Sequence, residues 1–267
     1  MCLVALALDA HPRYALAIVA NRDEFHARAA EPAHWWREGW LAGRDLSAGG
    51  TWFGVRRDGR WALVTNVREP GRKDAGARSR GGLVTGALAP GPLGDYLARI
   101  DADADRYNGY NLLAGDPGIA RWASNRGAAS RAIRPGVSAL SNAALDTPWP
   151  KVRRISAAIE AWAARGGDRI DELFGALADR DPAPDRELPS TGVPLDWERR
   201  LSAPFIVSDE YGTRCSTVLV VARDGGARFV ERSFDAAGRL TGTVDERFRI
   251  APCPPGTWID PRSRGSA

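Results

Sequence analysis

Lysine, histidine, cysteine and methionine are all scarce in this chain of 267 residues. Lys73 and Lys151 are the only lysines among 37 basic residues; the rest are arginine. With so much alanine, glycine and proline, that imbalance matches the codon usage of a GC-rich, bacterial genome. Three cysteines are too few, and odd in number, for a disulfide framework, which points to a reducing cytoplasm. The histidines, His11, His26 and His34, sit in loop-like segments near the start without ligand spacing. They read as scattered surface residues, and no metal site is expected. No run approaches the ~18 apolar residues of a membrane span. The apolar stretch at the N-terminus is short, has no basic leader and meets Asp9, so no signal peptide is expected. There is no dinucleotide-binding glycine fingerprint, P-loop, HExxH, paired CxxC or GxSxG elbow. No cofactor is therefore expected.

The net charge of +4 is interspersed, as in Arg22-Asp23-Glu24 and Asp185-Arg186-Glu187. Nucleic-acid binders cluster their basic residues, so no nucleic-acid partner is expected. Residues 2–8 and 14–20 read as a hairpin buried on both faces. The polar run Asn21-Arg22-Asp23-Glu24 then follows the second strand, at a sheet edge. Residues 51–57 and 60–66 flank Asp58-Gly59 as a second hairpin. Residues 82–89 and 92–100 read as short helices; 110–114, 119–123 and 137–141 read as strands. Thr147-Pro148 reads as a helix start, with Val152, Ile155, Ile159 and Trp162 on one face and Gly166-Gly167 as the stop. Asp168 reads as the cap of a further helix carrying Ile170, Leu173, Phe174 and Leu177.

Residues 181–200, with four prolines, read as a long loop or lid. Strands are expected again at 204–208, 216–223, 227–234 and 246–250, with a hairpin at Asp224-Gly225-Gly226. The pattern is that of an α+β domain whose mostly antiparallel sheets are covered on both sides. One domain over residues 1–260 is expected, followed by a flexible tail at 261–267.

Cys2 is the sharpest chemical feature. Removal of Met1 would leave it with both a thiol and a free α-amine, of pKa near 8.5 and ~8. The amine can act as base for the thiol beside it, so no histidine is needed. Such a nucleophile needs a carboxylate to orient the amine, a cation to favour the thiolate and donors for the oxyanion. Asp23, Asn66, Asn142 and Arg214, at expected strand ends, are candidates. Cys215 reads as buried core, and Cys253-Pro254 as part of a proline-rich terminal loop.

Met1-Cys2, Asn21-Arg22-Asp23-Glu24, Gly49-Gly50-Thr51-Trp52, Tyr107 to Leu112, Leu140-Ser141-Asn142-Ala143, Tyr211-Gly212-Thr213-Arg214 and Glu231-Arg232-Ser233 occur in one order over residues 1–250. In these segments the chain resembles the NRDE family, that of the transport and Golgi organisation 2 protein. The resemblance implies an N-terminal nucleophile hydrolase-like fold: a four-layer αββα sandwich of two mostly antiparallel sheets. A second resemblance is to the cysteine branch of that superfamily, the bile-salt hydrolases and penicillin V acylases. It implies Cys2 as nucleophile and base, Asp23 on the amine, Asn66 at the oxyanion, Asn142 as the later active-site asparagine, and Arg214 beside the thiol. That branch has an arginine three residues before the aspartate, where this chain has Ala20; either Arg22 replaces it, or Arg22 points elsewhere and thiolate stabilisation rests on Arg214. Arg22, Trp52 and Tyr211 are the substrate-binding candidates. The implied function is hydrolysis of a linear amide, a non-peptide C–N bond, or of a thioester, through an acyl-Cys2 intermediate. The alternative is a non-catalytic haem or lipid/acyl-CoA binding and trafficking protein on the same fold.

Overall fold

In this computed structural model, residues 3–72, 74–127 and 130–250 are described. Cys2 and Cys253, and the proposed tail, lie outside them. The elements are β1 (Leu3–Leu8), β2 (Tyr14–Phe25), β3 (Ala30–Trp35), β4 (Trp40–Asp45), β5 (Phe53–Arg56), β6 (Trp61–Asn66), α1 (Gly81–Leu88), α2 (Leu93–Ala102), β7 (Tyr110–Asp116), β8 (Ile119–Ser124), β9 (Arg131–Ala132), β10 (Gly136–Leu140), α3 (Pro150–Ala164), α4 (Ile170–Leu177), α5 (Leu195–Leu201), β11 (Tyr211–Ala222), β12 (Gly226–Phe234) and β13 (Leu240–Arg249). Two antiparallel sheets result, in the orders β10-β1-β2-β11-β12-β13 and β3-β4-β5-β6-β7-β8-β9.

The pleat sorts the side chains into layers. Along β1 and β2, Val4, Leu6, Leu8, Leu16, Ile18 and Ala20 meet Phe53, Trp61, Leu63 and Leu113 of the opposite sheet. Their neighbours Leu3, Ala5, Ala17 and Val19 face outward onto Ile155, Ile159, Leu173 and Phe174 of α3 and α4. On the far side, Leu83, Val84 and Leu97 of α1 and α2 cover Ala62, Leu112 and Ala114. Strands buried on both faces explain the unbroken apolar runs in the sequence. The arrangement is an α+β four-layer αββα sandwich. Among the described residues, no helix is long and apolar enough to cross a membrane.

Several local expectations need correction. Asn21 to Glu24 do not follow the second strand: they are part of it, and β2 is a central strand. Residues 204–208 form no strand. The helix expected at Thr147-Pro148 starts at Pro150 after Trp149, and α4 follows Arg169 rather than an Asp168 cap. The proline-rich segment contains α5 and a short 3-10 turn at Asp185–Glu187. β13 begins earlier than expected, at Leu240.

His11 is not a surface residue; it is 2% exposed and stacks on Trp162 with ring centroids 4.4 Å apart. Nδ1 accepts from the backbone N–H groups of Arg13 and Tyr14, so Nε2 carries the proton and donates to Gly167 O at 2.8 Å. Burial lowers its pKa from the ordinary 6.5. Between the folded value and 6.5 the unfolded chain binds more protons, so this contribution to stability is present above about pH 6.5 and is lost as the pH falls through that window. Urea unfolding of wild type and His11→Gln at pH 7.5 and 5.5 should show a larger loss on acidification in wild type. Parallel behaviour of the two proteins would refute this assignment.

Candidate functional site

On β2 the pleat divides a run of polar residues between two faces. Asn21, fully buried, faces the helical layer. Its Nδ2 donates to Leu177 O and Pro204 O, both at 2.8 Å, and its Oδ1 accepts from Ser216 Oγ at 2.6 Å. Asp23, on the same face, accepts at Oδ1 from the Thr213 hydroxyl at 2.7 Å. That hydroxyl in turn accepts from Ile206 N at 2.9 Å, which fixes the direction of its proton. Arg22 points the other way, between the sheets, with its guanidinium carbon 4.4 Å from the Trp52 ring centroid. A buried cation–π contact of this kind contributes up to about 2 kcal/mol. Trp52 reaches this place because position 43 is glycine: any Cβ there would strike the indole.

Beside Arg22 on the inter-sheet face lie Cys215 in register with it, then Thr217 and its partner Glu231. Glu231 crosses to the other sheet, accepting from Ala33 N at 2.7 Å; Thr217 Oγ1 donates to it at 3.3 Å. Burial raises the pKa of Glu231, with only partial relief from these donors. Burial also pushes the Cys215 thiol well up, helped by the neighbouring Glu231 charge. Cys215 is thus an inert buried thiol. No role for Glu231 or Thr213 is evident from residue type alone. The signal for Glu231 is its alternation with Ala227 and Phe229, which places an acid on an otherwise apolar, inward face.

An open cleft of about 700 Å³ lies at this end of the sandwich. Its lining includes Arg22, Asp23 and Phe25 of β2, Tyr211 of β11, Thr51 and Trp52, Asn66 at the end of β6, and residues 67–72, 74–75 and 77–81. Of the candidates, Arg22, Trp52, Asp23, Asn66 and Tyr211 are therefore brought to one cavity. Phe25, 48% exposed, and Trp197 make edge contacts with Tyr211, at 5.2 and 5.8 Å, and give the mouth an aromatic rim. Six arginines also line the cleft: Arg22, Arg28, Arg68, Arg72, Arg78 and Arg80. Several are committed to local partners. Arg28 pairs with Asp45 at 2.8 Å, and Arg68 with the buried Glu198 at 2.7 Å. Glu198 also accepts from the N–H and hydroxyl of Thr191, so the proline-rich segment is strapped to the cleft wall.

Asn142 and Arg214 are placed differently from Asn66. Asn142, 4% exposed, lies behind Asn66 and donates from Nδ2 to both Asn66 O and Asn66 Oδ1, at 2.9 and 2.8 Å. Arg214 does not precede its strand. It sits within β11 at a register shift between Thr213 and Cys215. Its guanidinium is turned to the carbonyls of Phe25, His26 and Arg28, at 3.1, 3.1 and 3.2 Å. Burial and the nearby Arg22 charge lower its pKa. Its donors hold the turn after β2.

A model of the family described as Transport and Golgi organisation 2 matches residues 1–236. Among similar proteins, the Transport and Golgi organization protein 2 homolog of Bos taurus is 33% identical, with 87% of this chain and 93% of the relative covered. The homolog of Homo sapiens is 32% identical with the same coverage. The Transport and Golgi organization protein 2 of Drosophila melanogaster is 27% identical, covering 87% and 92%.

Thr213→Val removes the donor to Asp23 and strands the N–H of Ile206. It should destabilise the protein by about 1–3 kcal/mol in chemical denaturation. An unchanged unfolding midpoint would show that these bonds carry no net stability.

Proposed function

The chain belongs to the Transport and Golgi organisation 2 family, and on that premise we propose that it is an N-terminal cysteine hydrolase acting on a linear amide or thioester. One observation carries the reading. Leu3, covalently bonded to Cys2, pairs with Asn21 on β2, and the next two residues of that strand, Arg22 and Asp23, line a cleft shared with Asn66.

In this reading the α-amine of Cys2, freed by removal of Met1, takes the thiol proton. The thiolate forms a C–S bond to the substrate carbonyl carbon, and the π electron pair moves onto oxygen. Asn66 donates to that oxyanion, and Asp23, steadied by Thr213, holds the resulting ammonium. Collapse of the adduct breaks the C–N bond, and the leaving amine takes the proton from the ammonium. Water then cleaves the thioester, giving the acid and restoring the thiol. Arg22, fixed against Trp52, supplies positive potential that favours the thiolate. With its guanidinium held on three carbonyls, Arg214 acts through the geometry of the β2 turn. Tyr211 and Trp52 present apolar surface to the acyl portion, and a cleft of this size suits a small-molecule substrate.

Intact-mass measurement should show a mature chain beginning at Cys2. Incubation with p-nitrophenyl acetate should add one acetyl group, and Cys2→Ala should abolish the adduct. Retention of Met1, or an adduct of equal yield in Cys2→Ala, would reject Cys2 as the nucleophile.

A further inference from the structure

Resting on the Cys2 reading, we infer that Asn142 and Ser141 are positioning residues: they decide which end of the Asn66 amide faces the cleft. A carbonyl oxygen can only accept, so the contact with Asn66 O identifies the end of the Asn142 amide beside it as Nδ2. The same Nδ2 meets the Asn66 side chain at 2.8 Å, so the atom it meets there is Oδ1. The nitrogen end of the Asn66 amide is then the end turned away from Asn142, on a residue that lines the cleft. Ser141 supports this from behind, its hydroxyl donating to Asn142 Oδ1 at 3.1 Å.

The segment carrying both residues is itself clamped in one direction. Trp122 Nε1 is a donor only and meets Asn111 Oδ1 at 3.0 Å. Asn111 therefore presents Nδ2 to Ala143 O at 2.9 Å and to Thr65 Oγ1 at 3.3 Å. The Thr65 hydroxyl donates its own hydrogen bond to Ser141 O at 2.8 Å. Donors running from a buried indole thus end on the backbone carbonyls of Ser141 and Ala143, and fix the segment that carries Ser141 and Asn142. Asn142 acts through Asn66 rather than on the substrate.

The test compares two reactions of Cys2 in the full chain. Acetylation by p-nitrophenyl acetate forms a C–S bond, breaks the ester C–O bond and releases p-nitrophenolate, through an oxyanion. Alkylation by iodoacetamide forms a C–S bond and releases iodide, with no oxyanion. Both consume the same thiolate, so their rate ratio is independent of thiol ionisation. Asn142→Asp puts an acceptor opposite Asn66 and turns its amide around, presenting oxygen to the cleft. The ratio of acetylation to alkylation should fall about 10²–10³-fold. Ser141→Ala removes only one hydroxyl and, with its fold checked by circular dichroism, should lower the ratio several-fold. An unchanged ratio in both variants would overturn the inference, as would an equal fall in both rates. If wild-type Cys2 is alkylated but never acetylated, the hydrolase reading itself fails, and the inference falls with it.

Discussion

A polar run on a central strand meets almost no water. Asn21, Arg22 and Asp23 occupy consecutive places on β2, a central strand that pairs with β11 along this run, and each is less than 5% exposed. Burying such groups without partners costs several kcal/mol apiece. Much of the surrounding structure follows from satisfying them. Asn21 gathers the end of α4 and the Pro204 segment. Asp23 fixes Thr213, and through it the approach of residue 206 to β11. Arg22 requires the flat face of Trp52, which in turn requires glycine at 43.

The same constraint gathers charged groups between the sheets at this end, beside the apolar cluster that fills the space farther in. Glu231 spans the gap to Ala33 where Arg22 offsets its charge. One repeat of the pleat away, Phe229 and Leu219 pack into the hydrophobic cluster shared with the opposite sheet. The inter-sheet contact thus changes character along its length, from a fixed electrostatic cluster near the cleft to close-packed core. Rigid support behind the cleft and an open face in front are the conditions a preorganised site needs.

Legibility from sequence tracked local signals. The hairpins at Asp58-Gly59 and Asp224-Gly225-Gly226 were readable because their turn chemistry is local. The β3 strand was not, being an edge strand with Pro32 and mostly exposed residues. The first half of β13 is exposed and polar, so periodicity found only its end. Helix starts misled because Thr147 and Asp168 are good caps by type, yet α3 and α4 begin after Trp149 and Arg169 with no side-chain cap. The polar run of β2 misled for a deeper reason: charge normally marks a strand's end, and only tertiary partners made it an interior. For the site, residue type and order were enough to nominate Asp23 and Asn66. That Asn142 stands behind Asn66, and that Arg214 serves a turn, depends on contacts between segments far apart in the chain.

The arginine-lined cleft has one more chemical property. A lysine near an activated acyl group is itself a nucleophile whenever it loses its proton. A guanidinium stays protonated throughout the range in which proteins fold, and its delocalised nitrogens are poor acceptors of acyl groups. The cationic side chains described in the cleft are all arginine, while Lys151 is sealed at the start of α3 with 1% exposure. Each of these described arginines can therefore hold positive charge beside an acyl group, in the proposed reaction, without becoming acylated itself.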